Sequence, residues 1–293
     1  MLTAIRTTTS LLKLRIGIAI AVSALAGMAA TQGPGLSTTQ ALAFALAVLG
    51  ASGAAGAFNH YYERDLDRRM ARTRTRPFAS GLLKPGWIWP FSFLALLAAS
   101  LVLAYAVAGG LAMLFVFLGA FTYGVVYTVW LKRRSVWNII VGGLAGSFAV
   151  LAGAAATDSL LQPAPVLLAV VMFLWTPPHF WSLAAAKSRD YTLADVPMLP
   201  LNASQRFWTL AILAHTVALV VLSLVPLAFG MGVIYGLGAA AGGWYFLSRS
   251  WRLYRTPTRQ AAMANFRASL VQLTLLIAAV LGDSALRIYP WFA

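Results

Sequence analysis

The chain has 293 residues, of which 60% are apolar and only 10% charged, with a mean hydropathy of +0.79. Water-soluble domains carry about 25% charged residues, so this composition excludes a globule with a hydrated surface, and the absence of cysteine excludes disulfides, thiolate metal sites and a cysteine nucleophile. With 22 Lys and Arg against 7 Asp and Glu, a formal net charge of +15, the favoured partners are membrane surfaces and anionic substrates.

A spanning helix needs roughly 20 mostly apolar residues. Nine such stretches follow in order, near 16–32, 38–58, 86–107, 109–130, 136–156, 164–186, 207–228, 230–248 and 266–288. The first also has the look of a signal peptide, with Ala24-Leu25-Ala26 as a small-residue cleavage site; we read it as a span, and its removal would leave the remaining topology unchanged. The connections alternate in character. Arg6, Lys13 and Arg15 precede the first span, and the next connection is neutral. Arg64, Arg68, Arg69, Arg72, Arg74, Arg76 and Lys84 follow the second span. Lys132, Arg133 and Arg134 follow the fourth, Lys187, Arg189 and Arg206 the sixth, and Arg249, Arg252, Arg255 and Arg259 the eighth. Only Arg287 falls near the other face. Basic residues favour the cytoplasmic side, so the expectation is a single polytopic domain over residues 1–293 in the cell inner membrane, N-terminus inside and C-terminus outside. Bases divided among separate loops of a membrane protein argue against nucleic acid as a partner.

The acids carry the most information. Glu63, Asp65 and Asp67 lie in the loop after the second span, Asp190 and Asp195 in the loop after the sixth. At about 100° per residue, Asn59, Glu63 and Asp67 share one helical stripe within about 80° of arc, while Asp65 faces elsewhere. A stripe of hard oxygen donors suits Mg²⁺ shared with substrate phosphates. The bases that follow, Arg72 and Arg76 among them, offer charge-assisted hydrogen bonds to phosphate oxygens. The plainer reading of the same loop is a solvated face with i,i+4 ion pairs. The loop 187–200 repeats the pairing of acid with base on the same side, with Pro197 and Pro200 ending a turn. Two further features have structural readings. Gly142 and Gly146 have a spacing that lets helices pack closely, and Asp283 has Arg287 four residues on, which favours a local ion pair. His60 beside Asn59 reads most simply as a polar cap residue.

The order Asn59-x3-Glu63-x3-Asp67-x2-Met70-x-Arg72-Thr73-x2-Arg76-Pro77, with Gly81 beyond, resembles the first motif of the UbiA superfamily of membrane prenyltransferases. Three more stretches narrow the resemblance to its haem branch, the protohaem IX farnesyltransferases (haem O synthases). They are Tyr127-Thr128-x2-Leu131-Lys132-Arg133 with Asn138-Ile139-x2-Gly142-Gly143-x-Ala145-Gly146, then Trp175-x-Pro177-Pro178-His179-Phe180-Trp181, then Asp190-Tyr191 with Val196-Pro197-Met198-Leu199-Pro200. Together they cover about half the chain. The resemblance implies an all-α integral membrane fold, nine helices around a lipid-open central cavity with a cytoplasmic cap of two charged loops. It implies farnesyl diphosphate and protohaem IX as substrates, Mg²⁺ as cofactor, and haem-A synthesis or terminal-oxidase assembly proteins as partners. Where many superfamily members have an Asp-x3-Asp pair in the second loop, this chain has Ala194, followed by Asp195; Asp190 is therefore the acid carried over.

Prenyl transfer to an alkene needs diphosphate helped off the isoprenoid and an allylic cation kept from water. Asn59, Glu63, Asp67 and Asp190 are the candidate catalytic and metal-holding residues. Arg72, Arg76, Lys132 and Lys187 are candidates for phosphate. Tyr123 and Tyr127 offer aromatic faces to a cation, or belong to an interfacial aromatic belt or to helix packing. His179, about 12 Å below the second loop, follows two prolines expected to kink or unwind the helix. It is a candidate for ligating or orienting the porphyrin, with His215 as an alternative iron ligand. Competing readings are a related enzyme prenylating an aromatic quinone precursor, and a haem-handling transporter or assembly factor.

Overall fold

The computed structural model describes residues 2–32 and 35–288, with side chains described for residues 6–32 and 35–286. Helix accounts for all the regular structure among them. In order these are α1 (Leu2–Leu11), α2 (Leu14–Ala29), α3 (Thr38–Tyr62), α4 (Arg64–Arg69), α5 (Ile88–Phe121) running into a π-helix (Thr122–Leu131), α6 (Asn138–Ala155), α7 (Pro163–Ala186), α8 (Ser188–Leu193), α9 (Leu199–Asn202), α10 (Gln205–Leu224) ending in a 3₁₀ turn (Val225–Phe229), α11 (Val233–Arg255) and α12 (Arg259–Ile288).

Each of the nine predicted stretches falls on a helix, but they do not make nine separate long apolar helices. Six helical runs among the described residues are long and apolar enough to cross a membrane: Thr38–Tyr62, Ile88–Leu131, Asn138–Ala155, Pro163–Ala186, Gln205–Phe229 and Arg259–Leu286. The run Ile88–Leu131 absorbs two predicted stretches. It bends at Gly109 (φ 80°, ψ 174°), a conformation open to glycine and closed to most side chains. Leu14–Ala29 is apolar but shorter. The protein is thus a multi-pass membrane protein.

Four helices enclose the centre: α2 packs on α6, α6 on α7, α7 on α12, and α12 back on α2. The α2–α6 crossing is backbone on backbone. A Cβ at Gly27 would lie 2.0 Å from the Val150 carbonyl oxygen, and one at Gly153 1.8 Å from that of Ala24. A small cavity of about 20 Å³ lies between the four, lined by Ser23, Val150, Met172, Leu276 and their neighbours. Around this ring α3 and α5 form one flank, and α10 and α11 the other.

The charged loops form a single cap. Leu66 and Met70 of the first loop share one buried cluster with Tyr191, Val196 and Met198 of the second, over Ile139 and Trp181. Burying apolar side chains from both loops holds them together by roughly 1.5–3 kcal/mol per large residue. Asn138, wholly buried, donates to the carbonyls of Ser135 and Pro197 and so pins the second loop. Arg259 Nε donates to the Ala186 carbonyl at the end of α7.

One local expectation is corrected. The helix α7 runs unbroken through Pro177 and Pro178. Ser182 Oγ bonds the Pro178 carbonyl at 2.6 Å and Thr176 Oγ1 the Met172 carbonyl, so hydroxyls supply part of the bonding around the two prolines. Asp283 caps α11, accepting from the backbone N–H of Gly232 at 2.9 Å; the side chain of Arg287, its expected partner, lies outside the described residues. Gly142, read as a packing residue, packs against the ring of Tyr127, which a Cβ there would meet at 2.8 Å.

Candidate functional site

The stripe predicted at the end of α3 forms as expected, and it is buried: Asn59, Glu63 and Asp67 are 2%, 0% and 1% exposed. Buried charges must be paired, and each carboxylate has its cation. Glu63 Oε2 accepts from Lys132 Nζ at 2.5 Å, while its Oε1 is buried with no hydrogen-bond partner. Asp67 receives Arg76 Nη1 on both oxygens at 2.9 Å, and its backbone carbonyl takes the Thr73 hydroxyl. Lys132 and Arg76, expected on phosphate, here neutralise the acids. Asp65 points elsewhere, as its helical angle required, and makes an exposed pair with Arg133 at 2.8 Å. The Arg133 hydrogen bond holds Asp65 down to about pKa 2.

Asn59 is oriented by a chain of bonds. The Thr128 hydroxyl gives its proton to the Tyr123 carbonyl and accepts from Asn59 Nδ2 at 3.0 Å, which turns Asn59 Oδ1 to the other side. There Lys13 Nζ donates to it at 2.6 Å, and to the Tyr123 hydroxyl at 2.7 Å. Lys13 sits between α1 and α2 with left-handed backbone (φ 49°, ψ 42°), a conformation costing a non-glycine residue about 1–2 kcal/mol. Burial, and next the charge of Arg76, push its pKa well below the usual lysine value. In the sequence Lys13 reads as a topology signal, and Thr128 as part of a motif with no role of its own. The left-handed turn that brings Lys13 across 46 residues to Asn59 has no glycine to announce it.

Tyr123 and Tyr127 lie in the π-helix, whose widened turn is closed by the Lys132 N–H bond to the Tyr127 carbonyl five residues back. Their rings stack at 5.8 Å with 13° between planes, and the ammonium groups of Lys13 and Lys132 stand 5.4 and 5.7 Å from the two ring centres. Each ring thus has an ammonium beside it.

In the second loop Tyr191 is buried. Burial raises its hydroxyl pKa, and a hydrogen bond and charge from Arg72 oppose the rise, so the otherwise exposed Arg72 reaches across from the first loop. Asp190 and Lys187 are half-buried on this cap, whereas Asp195 is exposed with left-handed backbone. Among the described residues no three His, Asp or Glu side chains converge as a ready-made metal site. The expected quartet is thus assembled in part: Asn59, Glu63 and Asp67 on one stripe, Asp190 on the adjoining loop. The donor set still fits a hard divalent ion, since it is all oxygen and one buried carboxylate oxygen of Glu63 has no partner.

Deeper in the bundle, His179 is buried among aromatic rings. Trp175 stacks on it at 4.2 Å, Phe266 covers it at 4.6 Å, and Phe180 meets it edge-on at 4.9 Å. Ser269 Oγ lies within hydrogen-bond reach of both the Phe266 carbonyl and His179 Nδ1, the latter 2.7 Å away. With the Ser269 proton on the Phe266 carbonyl, Nδ1 carries the imidazole proton and Nε2 keeps its lone pair. His215 is half-buried, with Nδ1 on the Ala211 carbonyl. His60 is a correction: it is 3% exposed with Nδ1 unpartnered, not a polar cap.

Residues 20–276 match the sequence profile of the UbiA prenyltransferase family. The chain is 54% identical over 277 residues to protoheme IX farnesyltransferase 2 of Paramagnetospirillum magneticum, covering 94% of this chain and 96% of that one. It is 44% identical over 274 residues to protoheme IX farnesyltransferase 1 of the same organism, covering 93% and 96%. Among solved structures, a UbiA homologue from Archaeoglobus fulgidus, bound to GPP and Mg²⁺, superposes with a TM-score of 0.69 at 15% identity, covering 94% of this chain and 99% of that one.

Proposed function

The chain belongs to the UbiA prenyltransferase family, and from that membership we propose that it joins the farnesyl group of farnesyl diphosphate to a vinyl group of protohaem IX, giving haem O and releasing diphosphate. The observation that carries this reading is the buried rim at the end of α3. There three oxygen-bearing side chains, Asn59, Glu63 and Asp67, meet three cations, Lys13, Arg76 and Lys132. High identity to relatives named for this reaction supports the choice of acceptor.

Asn59, Glu63 and Asp67, with Asp190 from the second loop, would hold a divalent ion, Mg²⁺; when bound it supplies charge neutralisation to the departing diphosphate. The protein's own groups do the rest. Arg76 and Lys132, already at the rim, hold phosphate oxygens, with Arg72 and Lys187 closing from the cap. The C1–O bond of the farnesyl group breaks with its electron pair leaving on diphosphate. The stacked faces of Tyr123 and Tyr127 stabilise the allylic cation by about 0.5–2 kcal/mol each. The vinyl π pair forms the new carbon–carbon bond, and water supplies the hydroxyl with loss of a proton. His179 presents Nε2 to the porphyrin, its ring fixed by Ser269, Trp175 and Phe266. The charged cap faces the cytoplasm in this proposal, placing the N-terminus inside and the C-terminus outside the inner membrane. Haem-A synthesis or terminal-oxidase assembly proteins are the consumers of such a product.

Product mass after supplying farnesyl diphosphate, Mg²⁺ and either haem or 4-hydroxybenzoate tests the assignment. A farnesyl-plus-water adduct of haem is expected; prenylation of 4-hydroxybenzoate alone would overturn the choice of acceptor. The chain has no cysteine, so single cysteines introduced at Ser188 and Ser159 report sidedness directly. The first is expected to label from the cytoplasm and the second from outside.

A further inference from the structure

Lys13 is the rim cation that the acids do not account for. Glu63 has Lys132 and Asp67 has Arg76, yet Lys13 enters the same rim from the α1–α2 turn and ion-pairs with neither carboxylate. Its ammonium donates to a neutral amide oxygen, Asn59 Oδ1, at 2.6 Å, and to a neutral phenol, Tyr123, at 2.7 Å. The route is built for it. The stem lies on Gly56 of α3, where a Cβ would meet Lys13 Cδ at 3.3 Å, and Thr128 turns the Asn59 amide so that oxygen, not nitrogen, faces the ammonium. An unfavourable backbone conformation that delivers a charge to two weak acceptors is better explained by a partner that arrives later.

We propose that Lys13 is a transferable cation of the diphosphate site: it holds Asn59 Oδ1 before substrate enters, and moves onto a diphosphate oxygen when a divalent ion takes that amide oxygen. This rests on the reading of Asn59, Glu63 and Asp67 as the metal–diphosphate face. An ammonium and a divalent ion repel each other at one oxygen, so one must leave. The freed ammonium sits on a flexible four-carbon stem beside Arg76 and Lys132. Its bond to an anionic phosphate oxygen is stronger than its bond to a neutral amide, which makes the exchange favourable once diphosphate is present.

The test uses the full chain in lipid nanodiscs with two probes: Mn²⁺ alone, followed by electron paramagnetic resonance, and inorganic pyrophosphate with Mg²⁺, followed by calorimetry. Lys13→Met is expected to shift the two in opposite directions. Mn²⁺ alone binds several-fold tighter, because Asn59 has lost its resident cation; pyrophosphate with Mg²⁺ binds about tenfold weaker or more. Lys13→Arg, which keeps the charge, is expected to hold pyrophosphate within a few-fold of the unaltered protein, and it carries the comparison should Lys13→Met fail to fold. Unchanged pyrophosphate affinity in Lys13→Met overturns the proposal. Parallel weakening of both probes also overturns it, since that marks a structural role. If the unaltered protein binds neither probe, the metal–diphosphate reading falls first and takes this proposal with it.

Discussion

Replacing Lys132 by Met removes one half of a buried ion pair and leaves the other half with nowhere to go. Glu63 is wholly buried, while the Lys132 side chain is 12% exposed, so the two members of the pair are not equivalent. Stripping one partner from a buried pair costs about 3–5 kcal/mol, because the remaining charge is desolvated and unpaired. Lys13 also stands close enough to act on Glu63 electrostatically, which offsets part of the loss and places the expected value near the low end, about 3 kcal/mol. At about 2 °C per kcal/mol for a chain of this size, thermal unfolding in detergent should shift down by roughly 6 °C. Glu63→Gln should cost less, since an orphaned Lys132 can hydrate at the edge of the cap. The double variant, with both charges gone, should recover much of the stability lost in Lys132→Met. It should still fail to form product, because Glu63 belongs to the proposed metal-holding stripe. A Lys132→Met protein as stable as the parent, or a double variant that falls by the sum of the singles, would refute the assignment of this pair as a buried charge couple.

Asp67→Asn removes the acceptor that holds Arg76 on both oxygens. Metal-dependent product formation should fall on the order of 10²-fold or more, and a steady-state assay showing full turnover would sink the mechanism. Asp65→Asn, two residues earlier, should leave turnover near that of the parent, because its pair with Arg133 is solvent-exposed. The pair contributes under about 1 kcal/mol to stability. Its folded-state pKa of about 2 lies below the ordinary carboxylate value, so that small contribution is present at neutral pH. It is lost as pH falls from about 4 towards 2, and a chemical-denaturation series over that range should show the step only when Asp65 is present. His179→Ala should abolish the Soret shift on titrating haem into the protein, and Ser269→Ala should weaken it; an unchanged spectrum in both would remove His179 from the porphyrin site.

The part of the site legible in the sequence is the part governed by helical periodicity. Asn59, Glu63 and Asp67 fall on one face at about 100° per residue, Asp65 on another, and the structure keeps both assignments. The alternation of basic and neutral connections likewise fixed which helix ends share the cap, and the packing of Leu66 and Met70 on Tyr191, Val196 and Met198 follows. What could not be read is whatever depends on one element meeting another out of register. Lys13 looks like one more topology-setting base until a left-handed residue folds it onto α3. Thr128 looks like a spanning residue until the π-helix sets its hydroxyl between the Tyr123 carbonyl and Asn59. His60 reads as a polar cap for a related reason: a polar residue at a helix end carries no sign that the neighbouring elements close over it.

The stacked tyrosines connect these layers into one argument. A π-turn is less favourable than the α-turn it replaces and is found where function retains it. Here it does three things at once: it brings Tyr123 over Tyr127, sets the Thr128 hydroxyl on the Tyr123 carbonyl, and ends at Lys132, which reaches Glu63. Restoring α-helical winding by deleting one residue in Thr122–Leu131 would rotate everything beyond the deletion by about 100°, separating Lys132 from Glu63 and the tyrosine rings from each other. Gly142→Val is the milder form of the same perturbation. Even a bare Cβ would come within 2.8 Å of the Tyr127 ring, and overpacking of this kind costs about 1–3 kcal/mol. With the tyrosine faces stabilising the allylic cation as proposed, a ring displaced from α6 loses that position, so the expected result is a fall in turnover that exceeds the fall in stability, with Mn²⁺ and pyrophosphate binding intact. If binding and turnover fall together, the tyrosine pair is scaffolding for the rim, and the cation must be stabilised elsewhere.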